Sequence, residues 1–147
     1  MRGTQIHLID RCKNVFKMAQ GLFVEPGRIE DILLQSPCIE QIYVHGAGQS
    51  CLVAVVVPNK LYFRKWIQEN GITEDEMYTS PIVKKKVCSD LASVGMKNGL
   101  NHNEIPVAVY LERTPFSPHN SLLTVSLKPL RRNLSSHYEK VIGEMYH

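Results

Sequence analysis

The alternation of apolar and polar residues predicts a β-hairpin in the first half of the chain. Ile42 and Val44 alternate with polar neighbours, whereas residues 52–57 form a continuous apolar, mostly β-branched run. Alternation indicates a half-buried strand, and a continuous run indicates a strand covered on both faces. Because Gly46-Ala47-Gly48 separates the two runs, we expect a hairpin whose second strand is central in its sheet.

Apolar residues recur at helical spacing in four further segments, as expected for helices that bury one face. Pro26 can occupy the first turn of the first helix, where its missing N–H has no partner to lose, and Ser36-Pro37 ends that helix. The other helices are predicted at residues 60–69, at residues 81–97 and from about Leu130 onward. The residues expected to face inward are Leu61, Tyr62 and Trp66 on the second helix, and Leu134, Tyr138, Val141, Ile142 and Met145 on the last.

The remaining segments complete a small α/β (α+β) domain. Residues 5–9 and Val15-Phe16 predict a short opening hairpin, residues 107–111 predict a third strand, and residues 114–120 form a Pro-containing loop. We therefore expect a small, mostly three-stranded sheet flanked by helices and preceded by a short N-terminal β-hairpin. With 147 residues and no internal repeat, residues 1–147 should form a single domain.

Composition and residue spacing argue against a zinc-binding, a membrane-spanning and a secreted protein. The hydrophobic fraction of 44%, the charged fraction of 21% and the net charge of +3 are ordinary for a globular protein. The four cysteines and six histidines lack the spacing of a structural zinc site, so no metal site is expected. No apolar run is long enough to cross a bilayer, and no secretory signal is present. We expect an intracellular protein, in the cytoplasm or at the cytosolic face of membranes.

A cluster of positive charge lies where the last loop meets the last helix. Lys128, Arg131 and Arg132 fall within five residues that also include Pro129. Such clusters are often solvated surface. However, Pro129 and the apolar pair Leu122-Leu123 would place Lys128 on an ordered element, and an ordered ammonium can stabilise charge that develops during a reaction.

Four segments of the chain carry the resemblance to one family. Residues 9–21 follow the pattern I-D-R-x-K-N-x-F-K-x-A-Q-G, and Pro26 with Ile29-Glu30 continues it as P-x-x-I-E. Residues 53–58 end in V-V-P, and residues 116–124 are similar to F-S-x-x-N-G-L-L-T. The chain thereby closely resembles the C-terminal lid domain of long-chain fatty acyl-CoA synthetases, members of the adenylate-forming superfamily. The match spans nearly the whole chain.

The resemblance implies a fatty acid–CoA ligase that forms an acyl-adenylate from ATP and then acyl-CoA. Its substrates would be a fatty acid, ATP with Mg²⁺, and coenzyme A, and ATP and Mg²⁺ would bind mainly to an N-terminal adenylation domain that is this domain's own partner. By resemblance Lys128, in a loop at about residues 116–131, is the catalytic lysine of adenylation. The resemblance also implies that Arg11 contacts the nucleotide ribose, that Lys13 is the hinge within about residues 10–14, and that Gly21 approaches coenzyme A.

Each of these residues also has a simpler interpretation. Arg11 could pair with Asp10 or Glu25 at the surface, Lys13 could be a solvated turn residue, and Gly21 could be needed only for its backbone. The chain also departs from the family pattern: Ser121 replaces Gly, Val125 replaces Pro, and residues 129–131 replace L-K-R while keeping the K-x-x-R spacing.

Because the chain begins a few residues before the hinge, we expect an excised domain that is inactive alone. A full-length enzyme could associate with membranes. The alternative function is a stand-alone basic module for RNA or anionic membrane. Aromatic residues are not interleaved with the Lys and Arg residues, and the net charge is low for a phosphate binder, so no nucleic acid partner is expected. A third hypothesis is that the chain is a remnant of such an enzyme that only regulates a partner.

Overall fold

The computed structural model describes residues 14–146, and this part of the chain opens with a two-stranded hairpin. Strand β1 (Phe16–Lys17) pairs antiparallel with β2 (Phe23–Val24). The prediction of a short N-terminal hairpin is confirmed. Its second strand in the structure, β2, was not predicted. The strand predicted at residues 5–9 lies outside the described residues.

A three-stranded sheet forms the centre of the fold. Strand β3 (Ile39–His45) pairs antiparallel with β4 (Val53–Pro58), which pairs parallel with β5 (Ala108–Leu111). The order β3-β4-β5 places β4 in the middle. A parallel pair requires a crossover connection, and the helical segment between β4 and β5 supplies it. The predicted central strand and third strand are both confirmed.

Within residues 14–146, five α-helices lie around the sheet. Pro26 occupies the first turn of the first helix, as predicted. Asn59 and Ser80 cap the next two helices by accepting hydrogen bonds from backbone N–H groups. Two short 3₁₀ segments, Glu76–Tyr78 and His102–Glu104, were not predicted. The helices are α1 (Pro26–Leu33), α2 (Lys60–Glu69), α3 (Pro81–Lys97), α4 (Arg131–His137) and α5 (Glu139–Met145).

Strand β4 belongs to two separate cores, which explains its continuous apolar sequence. Ala54 and Val56 face a core shared with α1, α2 and α3. Val53, Val55 and Val57 face a second core shared with α4 and α5. Since alternate residues of a strand point to opposite faces, a central strand between two cores needs apolar residues at every position.

Two details of the helix predictions were wrong. The last helix is interrupted at Tyr138, whose ψ of 14° ends α4, yet Leu134, Tyr138 and Ile142 are all buried. Periodicity does not detect this junction because the buried stripe continues through it. Leu61 is 74% exposed, since α2 buries the face centred on Phe63 and Leu61 lies about 200° from it around the helix.

None of the helices within residues 14–146 has the length and hydropathy needed to cross a bilayer.

Candidate functional site

The predicted lysine lies on a loop whose base is buried and whose tip is exposed. Phe116, Leu122 and Leu123 of this loop are buried in the second core, beneath α4 and α5. An isolated antiparallel bridge joins Leu123 to Pro129 and closes the loop behind its tip. Lys128 is exposed at that tip. The loop is therefore a projection fastened to the domain at its base.

Two exposed apolar residues precede the lysine in the same turn. Val125 is 92% exposed and Leu127 is 66% exposed. Within residues 14–146, no hydrogen bond or ion pair is formed by the Lys128 ammonium. An exposed ammonium with no internal partner in this part of the chain can meet an anion that comes from outside the domain.

The tip is a tight turn held by Thr124. The Thr124 N–H donates to the Lys128 carbonyl at 2.8 Å, and the Lys128 N–H donates to the Thr124 hydroxyl oxygen at 3.0 Å. The Leu127 N–H donates to the Thr124 carbonyl at 2.8 Å. The hydroxyl of Ser126 also lies 3.1 Å from that of Thr124. Every backbone hydrogen bond across the turn therefore has Thr124 at one end.

Two residues of the loop adopt a left-handed backbone conformation. Ser121 has φ of 62° and Leu127 has φ of 67°, and among residues 14–146 they are the non-glycine residues with positive φ. This conformation is unfavourable for a residue with a Cβ. It explains why a glycine is compatible with position 121, where the family pattern has one. The Asn133 side chain donates to the Ser121 carbonyl at 2.7 Å and holds this turn against α4.

Asn120 organises the entrance to the loop. Its side-chain oxygen accepts from the Ser117 N–H at 3.0 Å and from the Leu122 N–H at 3.3 Å. Its side-chain nitrogen donates to the Pro115 carbonyl at 3.1 Å. Asparagine commonly closes such turns by bonding nearby backbone groups. The loop thus enters the second core in a defined conformation.

A buried ion pair fixes the exit from the loop. The Arg131 guanidinium donates to both carboxylate oxygens of Glu30, at 2.5 Å and 3.0 Å. Glu30 also accepts from the Val44 N–H at 2.8 Å. Burial raises the pKa of Glu30, and its contacts with Arg131 and Val44 oppose that rise. The resemblance contained both residues, in I-E and in K-x-x-R, but nothing in the sequence indicated that they pair.

The other predicted site residues lie elsewhere. Gly21 is in the turn between β1 and β2, where its φ is 91° and its N–H donates to the Met18 carbonyl at 3.0 Å. A Cβ at Gly21 would meet no atom within 4 Å, so within the described chain only the backbone conformation calls for glycine. Arg11 and Lys13 lie outside the described residues.

No metal site is formed by the described part of the chain. Between residues 14 and 146, no group of three or more His, Cys, Asp and Glu side chains could hold a metal ion.

The chain is similar to curated fatty acid ligases. It is 38% identical to long-chain-fatty-acid–CoA ligase 6 of Mus musculus over 144 residues, which is 96% of this chain and 21% of the mouse protein. Long chain acyl-CoA synthetase 1 of Arabidopsis thaliana is also 38% identical over 144 residues, 96% of this chain and 22% of the plant protein. No family model matches the chain.

Solved structures show the same fold. The A domain of carboxylic acid reductase from Segniliparus rugosus, determined in complex with AMP and a co-purified carboxylic acid, matches with a TM-score of 0.79 at 30% identity. The match covers 92% of this chain and 20% of the reductase chain. The chain thus spans about a fifth of the length of the proteins it matches. It belongs to the long-chain fatty acyl-CoA synthetase family of adenylate-forming enzymes and corresponds to their C-terminal domain.

Proposed function

We propose that this domain closes over an N-terminal adenylation domain and supplies Lys128 to the first step of fatty acid activation. The observation that carries the proposal is the exposed lysine at the tip of a core-anchored loop, in a chain 38% identical to fatty acid ligases over almost its whole length. The whole enzyme would convert a fatty acid, ATP and coenzyme A to acyl-CoA, AMP and pyrophosphate.

The chemistry of adenylation calls for a cation of this kind. An anionic carboxylate oxygen attacks the α-phosphorus of ATP, and the bond from phosphorus to the pyrophosphate oxygen breaks. Negative charge accumulates at a crowded phosphoryl centre as this happens. A lysine carries its charge at a point on a flexible stem, so it can enter between two domains and approach that centre. Loss of one preorganised electrostatic contact typically lowers kcat by about 10²–10³.

The metal of the reaction would bind elsewhere. No described group of acidic side chains offers the oxygen ligands that Mg²⁺ prefers. We therefore assign ATP and Mg²⁺ mainly to the N-terminal domain, and this domain contributes cationic and backbone groups.

The second step requires a different arrangement of the two domains. The thiolate of coenzyme A must reach the acyl carbon of the adenylate, and Lys128 would occupy nearby space during adenylation. We propose that the domain rotates about Lys13, that Arg11 contacts the nucleotide ribose, and that Gly21 then approaches the pantetheine arm. A hinge is commonly formed by a few residues that absorb a large change in φ and ψ. This domain alone would not activate fatty acids.

A chimera tests the proposal directly. In it, this chain replaces the matching 21% of the mouse ligase. Pyrophosphate release reports the first step, and acyl-CoA formation from supplied acyl-adenylate reports the second. We expect Lys128→Ala to lower the first rate by about 10²–10³ and to preserve the second. Lys140→Ala, at an exposed lysine on α5, is the matched control and should change neither rate.

The outcomes of this experiment are distinct. Equal loss of both rates in Lys128→Ala would contradict the assigned role, and so would an unchanged rate of pyrophosphate release. The comparisons do not support the alternative of a stand-alone module for RNA or anionic membrane, since the matched relatives are ligases. An intracellular location and membrane association of a full-length enzyme stay predictions.

A further inference from the structure

We propose that Thr124 is the positioning residue for Lys128, and that its hydroxyl sets where the ammonium lies when the domain closes. This inference rests on the proposed function of Lys128. Nothing in the resemblance assigned a role to Thr124 beyond membership of the motif that precedes the lysine.

Both backbone polar groups of Lys128, its N–H and its carbonyl, form hydrogen bonds with Thr124. The Lys128 N–H donates to the Thr124 hydroxyl oxygen at 3.0 Å, and the Lys128 carbonyl accepts from the Thr124 N–H at 2.8 Å. Thr124 is itself held in place by its neighbour Leu123, which is buried in the second core and bridged to Pro129. A continuous set of contacts therefore leads from the core through Thr124 to the backbone of the lysine.

Packing cannot hold the tip in this position. Val125 and Leu127 are 92% and 66% exposed, so neither fixes the turn by burial. Leu127 also has φ of 67°, a left-handed conformation that is unfavourable for a residue with a Cβ. The hydrogen bonds of Thr124 are the interactions within the turn that can offset this cost, and the Leu127 N–H makes one of them at 2.8 Å.

The position of the Lys128 ammonium matters because, in the proposed function, it acts on a phosphoryl centre bound to the N-terminal domain. Pro129 restricts the backbone of Lys128 to extended conformations, which removes one source of disorder. The hydrogen bond from the Lys128 N–H to the Thr124 hydroxyl removes another. A misplacement of about 1 Å in a reacting group can lower a rate about 10²-fold. Removal of the Thr124 hydroxyl should therefore weaken adenylation while the fold is kept.

The first test uses the chain itself and measures amide exchange with water by NMR. In Thr124→Val the side chain keeps its shape and loses its hydroxyl, so we expect the Lys128 amide to exchange at least about tenfold faster. Thr124→Ser keeps a hydroxyl and should retain protection. Ser126→Ala is the matched control, since Ser126 contacts the Thr124 hydroxyl but not the Lys128 N–H.

The second test uses the chimera with the mouse ligase. We expect Thr124→Val to lower kcat for pyrophosphate release by about 10- to 100-fold, with KM values for ATP and fatty acid within threefold of the parent. Thr124→Ser should restore the rate to within threefold, and the second step should be unchanged. If Thr124 acts through Lys128, the double variant Thr124→Val/Lys128→Ala should be no slower than Lys128→Ala alone.

Failure of this inference can be separated from failure of the proposed function. A normal rate in Thr124→Val with a slow Lys128→Ala would overturn only the positioning role. Losses that multiply in the double variant, or an unchanged Lys128 amide in Thr124→Val, would also overturn it. Equal loss of both steps in Thr124→Val, with a lower melting temperature, would show a merely structural role. Full activity in Lys128→Ala would overturn the proposed function itself.

Discussion

Arg131 and Glu30, 101 positions apart in the chain, form a two-point ion pair with N–O distances of 2.5 Å and 3.0 Å. The pair fastens the first residue of α4 to α1, three residues beyond Lys128. The carboxylate side chain is 6% exposed and the guanidinium side chain is 20% exposed. The exit of the lysine loop is thus tied to a helix from the opposite end of the sequence.

Removal of one partner of this pair should destabilise the domain strongly. Arg131→Met leaves the buried carboxylate of Glu30 without its cation, and such losses typically cost about 3–5 kcal/mol of the free energy of unfolding. Urea denaturation of the chain measures the change. Arg113→Met is the matched control because Arg113 and Asp75 form an exposed pair, which should contribute about 1 kcal/mol or less.

A double variant tests the cause of that loss. Glu30→Met/Arg131→Met removes both charges, so it should be more stable than Arg131→Met alone. If the free energy of unfolding of Arg131→Met lies within about 1 kcal/mol of the parent value, the pair does not anchor the loop to the fold.

Periodicity predicted the sheet and the first three helices because these elements bury continuous faces. The continuous apolar run at residues 52–57 predicted that this strand is covered on both faces, because a strand between two cores has no polar face. The 3₁₀ segments and β2 were missed because they are two or three residues long and depend on local hydrogen bonds. The junction at Tyr138 was missed because its buried stripe is unbroken.

The candidate site was only partly predictable. The resemblance indicated Lys128, but the pairing of Arg131 with Glu30 depends on the tertiary approach of two distant segments. The left-handed conformation of Leu127 had no signal in the sequence, because leucine seldom adopts it. The role of Thr124 follows from hydrogen bonds that only the folded turn reveals.

Ser121→Gly should stabilise the domain slightly. Ser121 has φ of 62°, and a glycine adopts this conformation without the penalty of a Cβ. The greater freedom of glycine in the unfolded chain cancels part of the gain, which leaves a stabilisation of up to about 1 kcal/mol. Thermal unfolding of the chain measures it. Ser126→Gly, in the same loop but without positive φ, should destabilise instead; stabilisation by both changes would refute the argument.

Gly21 and Gly48 provide a matched test of the coenzyme A assignment. Their φ values are 91° and 71°, and a Cβ at either would meet no atom within 4 Å. Gly21→Ala and Gly48→Ala should therefore reduce stability similarly, by about 1–2 kcal/mol. In the chimera, only Gly21→Ala should slow acyl-CoA formation from supplied acyl-adenylate. Equal rates for both variants would leave Gly21 with a purely conformational role.

Cys38 should be nearly unreactive in the folded chain. Burial raises its pKa from 9.0 to about 11, and its Sγ donates to the Asp90 carboxylate at 3.1 Å. Because the thiolate is the reactive form, its fraction at pH 8 falls about 100-fold relative to an ordinary thiol of pKa 9.

The measurement is the rate of modification by a disulfide reagent in a variant whose other three cysteines, Cys12, Cys51 and Cys88, are serine. We expect modification in buffer to be at least about 100-fold slower than in denaturing urea. The shift also has a consequence for stability. The folded state holds the Cys38 thiol proton up to about pH 11, whereas an ordinary thiol in the unfolded chain loses it near pH 9. The contribution of Cys38 to the free energy of unfolding is therefore fully present below pH 9 and is lost as the pH rises towards 11. Cys38→Ser should weaken that pH dependence, and rapid modification of native Cys38 at pH 8 would contradict its burial.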